Sequence, residues 1–200
     1  MARRRVKKED RRGEIAKCAG ALFAEQGVRA TTVRDIAEGV GMLSGSLYHH
    51  FKTKNDIVHE LMRQYGDDLV ARYEQAAALG GTAIERLRRL FHACLEANLQ
   101  NPDQEAILIR ELDALFREPE FGYIHEMLVQ IESLFVGVIQ SGMESGEIRA
   151  DIEVHFVYRM MMDVMGAVPR WYDPSQHAKD DVVEAWIDIF TRGVGRATTE

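Results

Sequence analysis

Proline is scarce in this chain: four residues in 200, none before position 102. Proline breaks helix interiors, so the first hundred residues can form long uninterrupted helices. Cysteine is scarcer still. Cys18 and Cys94 are too few and too widely spaced for a disulfide framework, and they read as reduced core residues. No apolar run approaches the roughly eighteen residues of a membrane span. The best candidates, Leu134 to Ile139 and Met160 to Val168, are short, and Asp163 interrupts the second. The basic N-terminus has no apolar signal core behind it, so the expected location is the cytoplasm, with no membrane partner. Alternating strand patterns and internal repeats are missing too. What remains is an all-α chain, and an apolar fraction of 46% is enough to give it a core.

The formal net charge of −7 hides an asymmetry. Residues 1–60 carry 12 Lys and Arg against 8 Asp and Glu, whereas residues 61–200 carry 13 against 24. A basic head on an acidic body suits a protein that offers one end to a polyanion. Phosphates would repel the acidic body.

Punctuation along the chain divides it into helices. Residues 1–9 read as a basic arm with little to pack. From Asp10 to Gln26, Ile15, Ala19, Leu22 and Phe23 recur at helical spacing, and Gly27 ends that helix. Thr32 with Asp35 opens a second helix as a cap pair, and Ser44 is expected to cap a third. Thr53 with Asp56 starts a long helix to about Leu79, broken by Gly80 and Gly81. Thr82 with Glu85 starts another, to about Gln100. Helices are also expected after Pro102, from Pro119 to near Gly146, from an Asp151 cap to about Val168, and from Ala178 to Val194.

The informative stretch is Thr31 to Lys54, TTVRDIAEGVGMLSGSLYHHFKTK. Ile36 and Ala37 close one short helix onto a core, Gly41 makes a turn, and Leu47 and Phe51 anchor a second helix. Ser44, Gly45, Ser46, Tyr48 and His49 then face outward. A helix-turn-helix lays its second helix in the DNA major groove, N-terminal residues toward the base edges. The segment TTVRDIAEGVGMLSGSLYHHFKTKNDIV, preceded by ALFAEQGVRATT, resembles the DNA-binding signature of the TetR family of bacterial transcriptional regulators. The likeness spans roughly residues 13–61; the rest matches in helix count and length. VYRMMMDVMGAVPRWY and the LSGSLYHHF variant also resemble a subgroup from actinobacteria that governs sterol and fatty-acid breakdown and senses acyl-CoA thioesters.

The resemblance implies a three-helix DNA-binding domain over residues 1–52 and a roughly six-helix ligand-binding and dimerisation body over 53–200. It also implies a homodimer paired through the last two helices of each subunit, a double-stranded operator as partner, and a small hydrophobic effector inside the body. Thr31, Thr32 and Arg34 stand where hydroxyls, amides and a guanidinium can hold a phosphate. Tyr48 and Lys54 match family positions that grip the backbone across the groove. Ser44, Gly45, Ser46 and His49 are placed to approach bases, and their short side chains leave part of the specificity to DNA shape. Helix capping alone also accounts for Thr32 and Ser44, and the two roles are compatible. Arg3, Arg4, Arg5, Lys7 and Lys8 fit either a DNA-reaching arm or a solubilising tail.

For the effector, the candidate lining residues are Phe91, Leu95, Phe116, Met127, Phe135, Arg159, Met162 and Trp171. A methionine-rich helix repacks easily around ligands and is equally at home in an ordinary core. Arg159 and Asp163, four residues apart, fit a buried ion pair or a polar ligand anchor. The final helix carries Val182, Val183, Trp186, Ile187 and Phe190 as a stripe for self-association. No catalytic residues, cofactor or metal are expected. His49 and His50 diverge by about 100° on a helix, GVGMLSG has the wrong spacing for a dinucleotide loop, and Glu111 and Asp113 point apart. The reading is a ligand-responsive repressor on a near-palindromic operator, released when the effector binds, an acyl-CoA thioester being one candidate. The alternatives are an activator of the same fold, a general DNA-coating protein and, last, a small helical enzyme.

Overall fold

The structure, a computed structural model, describes the backbone of residues 2–194 and the side chains of residues 11–192. Within them the chain forms nine α-helices and no strand: α1 (Ala2–Gln26), α2 (Val33–Gly39), α3 (Ser44–Leu47), α4 (Lys54–Ala78), α5 (Ala83–Gln100), α6 (Pro102–Leu115), α7 (Gly122–Ser145), α8 (Val154–Ala167) and α9 (Lys179–Val194). Two short 3₁₀ turns precede α7 and follow α8.

Two compact units divide these helices. The first holds residues 1–67 and 101–125, the second 68–100 and 126–200. The packing boundary therefore falls inside α4, past residue 52, and the first unit takes in α6 as well as the N-terminal helices.

In the first unit α1 packs mainly against α6 and α2. Ile15, Ala19 and Phe23 of α1 are fully buried, as are Ile36 of α2, Ile57 of α4 and Ile107 of α6. Gly20 faces α4, where a Cβ would meet the Leu61 methyls in ordinary contact at 3.6 and 3.7 Å. Gly27 has φ +90°, a left-handed conformation that glycine adopts without strain, and it turns the chain off α1. Tyr65 of α4 donates its hydroxyl hydrogen to the Glu105 carboxylate of α6.

Burial pushes the Glu105 carboxyl above its ordinary range, and the bond from Tyr65 only partly opposes it. The folded protein therefore holds the Glu105 proton more tightly than the unfolded chain does. Stability is unaffected by this group below the unfolded pKa and is lost as pH rises through the raised folded value. Glu105→Gln keeps an acceptor for Tyr65 without the charge. Its denaturant midpoint should exceed that of the parent at pH 7, and the gap should close as pH falls; chemical unfolding across pH 4–8 checks this.

In the second unit α5 packs against α9 and α8. Phe91 of α5 meets Trp186 edge-on at 5.4 Å and Phe190 at 5.7 Å, and Tyr73 meets Phe135 edge-on at 5.3 Å. Buried Asn98 donates to the Met165 carbonyl at 3.3 Å. Glu147 accepts the Ala83 and Ile84 amides, satisfying two open donors at the start of α5.

Several sequence expectations give way here. Residues 2–9 continue α1 instead of forming an arm, because Ala, Arg, Lys and Glu are good helix formers and no proline or glycine intervenes before Gly13. The side chains of Arg3, Arg4, Arg5, Lys7 and Lys8 lie outside the described residues. Leu43, not Ser44, is the N-cap of α3 and makes no side-chain cap bond. Glu153, not Asp151, caps α8 by accepting the His155 and Phe156 amides at 2.9 and 2.7 Å. Asp151 is drawn instead to Arg149, which holds its carboxyl down at about 2. Arg159 and Asp163 are both exposed, which overturns the buried ion pair. Cys18 and Cys94 are free thiols as expected, but only Cys94 is a buried core residue, Cys18 being half-buried.

The helical stretch Pro119–Ser145 is long and apolar enough, by length and composition, to cross a membrane, though no uninterrupted apolar run suggested one. The reason is averaging over an amphipathic helix. Ile131, Phe135, Val138 and Ile139 are buried in the second unit, whereas Gln130, Ser133 and Gln140 are exposed.

Candidate nucleic-acid interface

The helix-turn-helix is built by local bonds and held by distant ones. Thr32 and Asp35 form a reciprocal capping box: the Thr32 hydroxyl accepts the Asp35 amide at 3.1 Å, and the Asp35 carboxylate accepts the Thr32 amide at 2.8 Å. Hydrogen bonding to the Thr32 backbone amide, first, and to the Thr32 hydroxyl holds the Asp35 carboxyl below its usual range. Gly41, at φ +64°, makes the turn that only glycine accommodates freely, and the Met42 amide reaches back to the Ala37 carbonyl at 2.8 Å. Leu47 and Phe51, 1% and 2% exposed, then fix the short α3 by its inner face.

That anchoring sets the outer face. Gly45, Tyr48 and His49 are exposed and Ser44 and Ser46 half-exposed, so all five are open to solvent while Leu47 is not. Thr32 and Arg34 are exposed at the start of α2, with Arg34 lightly tethered to Glu38 at 2.8 Å. This pair is solvent-exposed and therefore weak, leaving the guanidinium available to a phosphate.

Thr31 and Lys54 sit differently from the rest. Thr31 is 1% exposed and donates its hydroxyl to the Gly27 carbonyl at 2.9 Å. Its side chain belongs to the α1–α2 turn. Lys54 is half-buried, and its ammonium donates to the Val28 carbonyl and, at 2.7 Å, to the Thr31 carbonyl. It thus secures the loop that delivers Thr32 and Arg34. Lys54→Ala should loosen that loop, weaken duplex binding about three- to tenfold and lower thermal stability measurably without unfolding the protein, because hydrogen bonds from a charged donor contribute about 1.5–3 kcal/mol. Anisotropy titration beside thermal unfolding separates the two effects.

Two supports had no local signal in the sequence. Arg11 of α1 donates to the Val40 carbonyl at 2.7 Å, at the end of α2. Arg12 donates to the His50 carbonyl just past α3, stacks over the Phe51 ring at 4.0 Å, and pairs with Glu60 of α4. Adjacent arginines thus hold the carbonyl that ends α2, where a cation complements the helix dipole, and a carbonyl of the turn that follows α3. On the far side of the turn Glu111 of α6 accepts the Val28 amide at 3.1 Å.

The effector candidates are scattered by comparison. Phe91, Leu95 and Phe135 are fully buried and Met127 is nearly so, with Phe91 and Phe135 engaged by the aromatic contacts above. Met162 is half-buried, while Arg159 and Trp171 are exposed. Phe116 belongs to the first unit, is 44% exposed, and stands edge-on to His125 at 5.7 Å. The second unit does contain an apolar cleft of about 400 Å³, lined by Phe156, Met160 and Val164 of α8 and Trp186, Ile189 and Phe190 of α9, none of them among the eight. Among the described residues no three His, Cys, Asp or Glu lie close enough together to hold a metal ion.

Two family profiles match the chain: "Bacterial regulatory proteins, tetR family" over residues 15–61 and "Tetracyclin repressor-like, C-terminal domain" over 80–194. The chain is 44% identical over 164 residues to the HTH-type transcriptional repressor KstR2 of Mycobacterium tuberculosis, covering 82% of each chain. It is 37% identical over 188 residues to the protein of the same name from Rhodococcus jostii, covering 94% of this chain and 92% of that one. A solved structure described as the ketosteroid transcriptional regulator KstR2 of Mycobacterium tuberculosis superposes with a TM-score of 0.86 at 41% identity, over 93% of this chain and 95% of that one.

Proposed function

The chain belongs to the TetR family of bacterial regulatory proteins, and on that premise we propose that it is a homodimeric repressor released from its operator by a small hydrophobic effector. The observation that carries the reading is the outer face of α3. Ser44, Gly45, Ser46, Tyr48 and His49 stand clear of the core while Leu47 and Phe51 hold the helix rigidly from behind. Thr32 and Arg34 flank that face as phosphate contacts, and Thr31 and Lys54 act one step back by holding the loop between them. Residues 1–52 then form the DNA-binding domain and 53–200 the ligand-binding and dimerisation body, working in the cytoplasm.

Dimerisation is assigned to α8 and α9. Phe156, Met160 and Val164 recur every four residues along α8 and are 55%, 49% and 39% exposed, and Ile189 of α9 is 67% exposed. A contiguous exposed apolar stripe of this kind marks an interaction surface, and the same patch on a second copy would cover it about a two-fold axis. Two heads paired in this way would read a near-palindromic site with half-sites about 34 Å apart or a multiple of that.

The description of the Mycobacterium tuberculosis relative as a ketosteroid regulator supports an effector with a rigid apolar body, of which a steroid-ring CoA thioester is one form. Coupling of about 1–3 kcal/mol between effector and operator sites would lower DNA affinity five- to 150-fold. The test is to enrich duplexes from a random library on the protein, then titrate the best of them with and without a steroid-ring CoA thioester. Selective enrichment followed by release supports the proposal. Equal binding to every duplex contradicts operator recognition, and retention at saturating thioester contradicts that effector class.

A further inference from the structure

The side chain at the leading edge of α3 is unlike its neighbours. Leu43 is 80% exposed, more than any other large apolar side chain described, and it occupies the N-cap of α3 without a cap bond. Ser, Thr, Asp and Asn are strongly preferred at that position because they satisfy open backbone amides, and aliphatic residues are disfavoured there. An exposed leucine at an N-cap therefore contributes nothing to the protein alone. It forgoes a cap and leaves an isobutyl group in water.

Its place says what would cover it. Leu43 is exposed and immediately precedes Ser44, Gly45 and Ser46, none of which is buried, whereas Leu47 is. The N-terminal residues of a recognition helix are those that meet base edges. Those three neighbours are short and polar and carry no apolar group beyond a methylene. In the major groove the one apolar feature of a base edge is the C5-methyl of thymine. We infer that Leu43 is a specificity-determining residue that packs on a thymine methyl in each half-site. This rests on the DNA-binding reading above.

Removing one methyl contact from an apolar surface weakens binding by roughly three- to tenfold. The test uses the best duplex enriched from a random library on the parent protein, remade with deoxyuridine in place of one thymine at a time, which deletes only the methyl. The parent should lose roughly three- to tenfold in affinity at one symmetry-related thymine position. Leu43→Ser should bind the thymine and uracil duplexes alike, yet unfold at a higher denaturant concentration than the parent, because the serine restores the cap. A purely structural role for Leu43 would lower stability and affinity together.

If the parent binds its duplex but no thymine is methyl-sensitive, or if Leu43→Ser discriminates as strongly as the parent, the inference is overturned and the regulator reading stands. If no duplex is enriched at all, the regulator reading falls and takes this inference with it.

Discussion

Replacing Phe156 and Met160 together by glutamate will give a folded monomer whose operator affinity has dropped by at least two orders of magnitude. Both side chains are about half exposed in the single chain, so the substitutions leave its core intact. Val157, Met161 and Met165, the buried residues of α8, face the other way. In a dimer the two positions would be desolvated, and each pair of subunits would have to bury four carboxylates with only the exposed Arg159 of each α8 beside them. Burying an unpaired charge costs several kcal/mol, enough to dissolve an interface of ordinary size. The loss of DNA binding follows from bivalency. Two linked heads bind with an affinity about 10²–10⁴ higher than one, without any new contact. Sedimentation together with duplex titration measures both parts. A variant that stays dimeric would contradict the assigned interface, and a monomer that binds as tightly as the parent would contradict paired recognition.

Arg12→Ala will destabilise the first unit by about 2–3 kcal/mol and weaken duplex binding by roughly ten- to a hundredfold, while the dimer persists. The guanidinium performs three tasks at once: it donates to the His50 carbonyl, stacks on Phe51 and pairs with Glu60. A hydrogen bond from a charged donor contributes about 1.5–3 kcal/mol and a cation–π contact about 0.5–1 kcal/mol at a partly exposed site. The ion pair with Glu60 adds little, since both side chains are about a third exposed. Phe51 anchors α3, so its loosening displaces Ser44 through His49 together. Placement errors of about 1 Å are costly where hydrogen bonds must meet fixed base edges. Arg12→Lys, which keeps the charge but not the flat stacking surface, should fall between parent and alanine variant. An alanine variant as stable as the parent would contradict the clamp.

Arg12 and its neighbour Arg11 also mark how far the sequence could be read. The motif was legible because its determinants are local. Thr32 with Asp35, Thr53 with Asp56 and Thr82 with Glu85 all form the cap pairs that their three-residue spacing predicts. Leu47 and Phe51 turn inward as their four-residue spacing predicts. Arg11 and Arg12 were illegible because their acceptors are backbone carbonyls 29 and 38 residues away, and a carbonyl has no signature in sequence. The Glu111 bond to the Val28 amide, across 83 residues, was hidden for the same reason. Caps failed where two acids competed. Asp151 lies two residues from Arg149 and pairs with it, leaving Glu153 to cap α8. The candidate effector residues were least legible: Phe91, Leu95 and Phe135 are fully buried, and apolar side chains at helical spacing look the same whether they fill a core or line a cavity.

The most direct test of the account is a footprint of guanine N7 methylation on an enriched duplex, because N7 lies in the major groove. The prediction is two protected patches related by two-fold symmetry, centred about 10 bp apart or a multiple of that, both weakened in parallel by Tyr48→Phe. A single patch, no N7 protection on a duplex that is bound, or a footprint unaltered by disrupting α3 would contradict it.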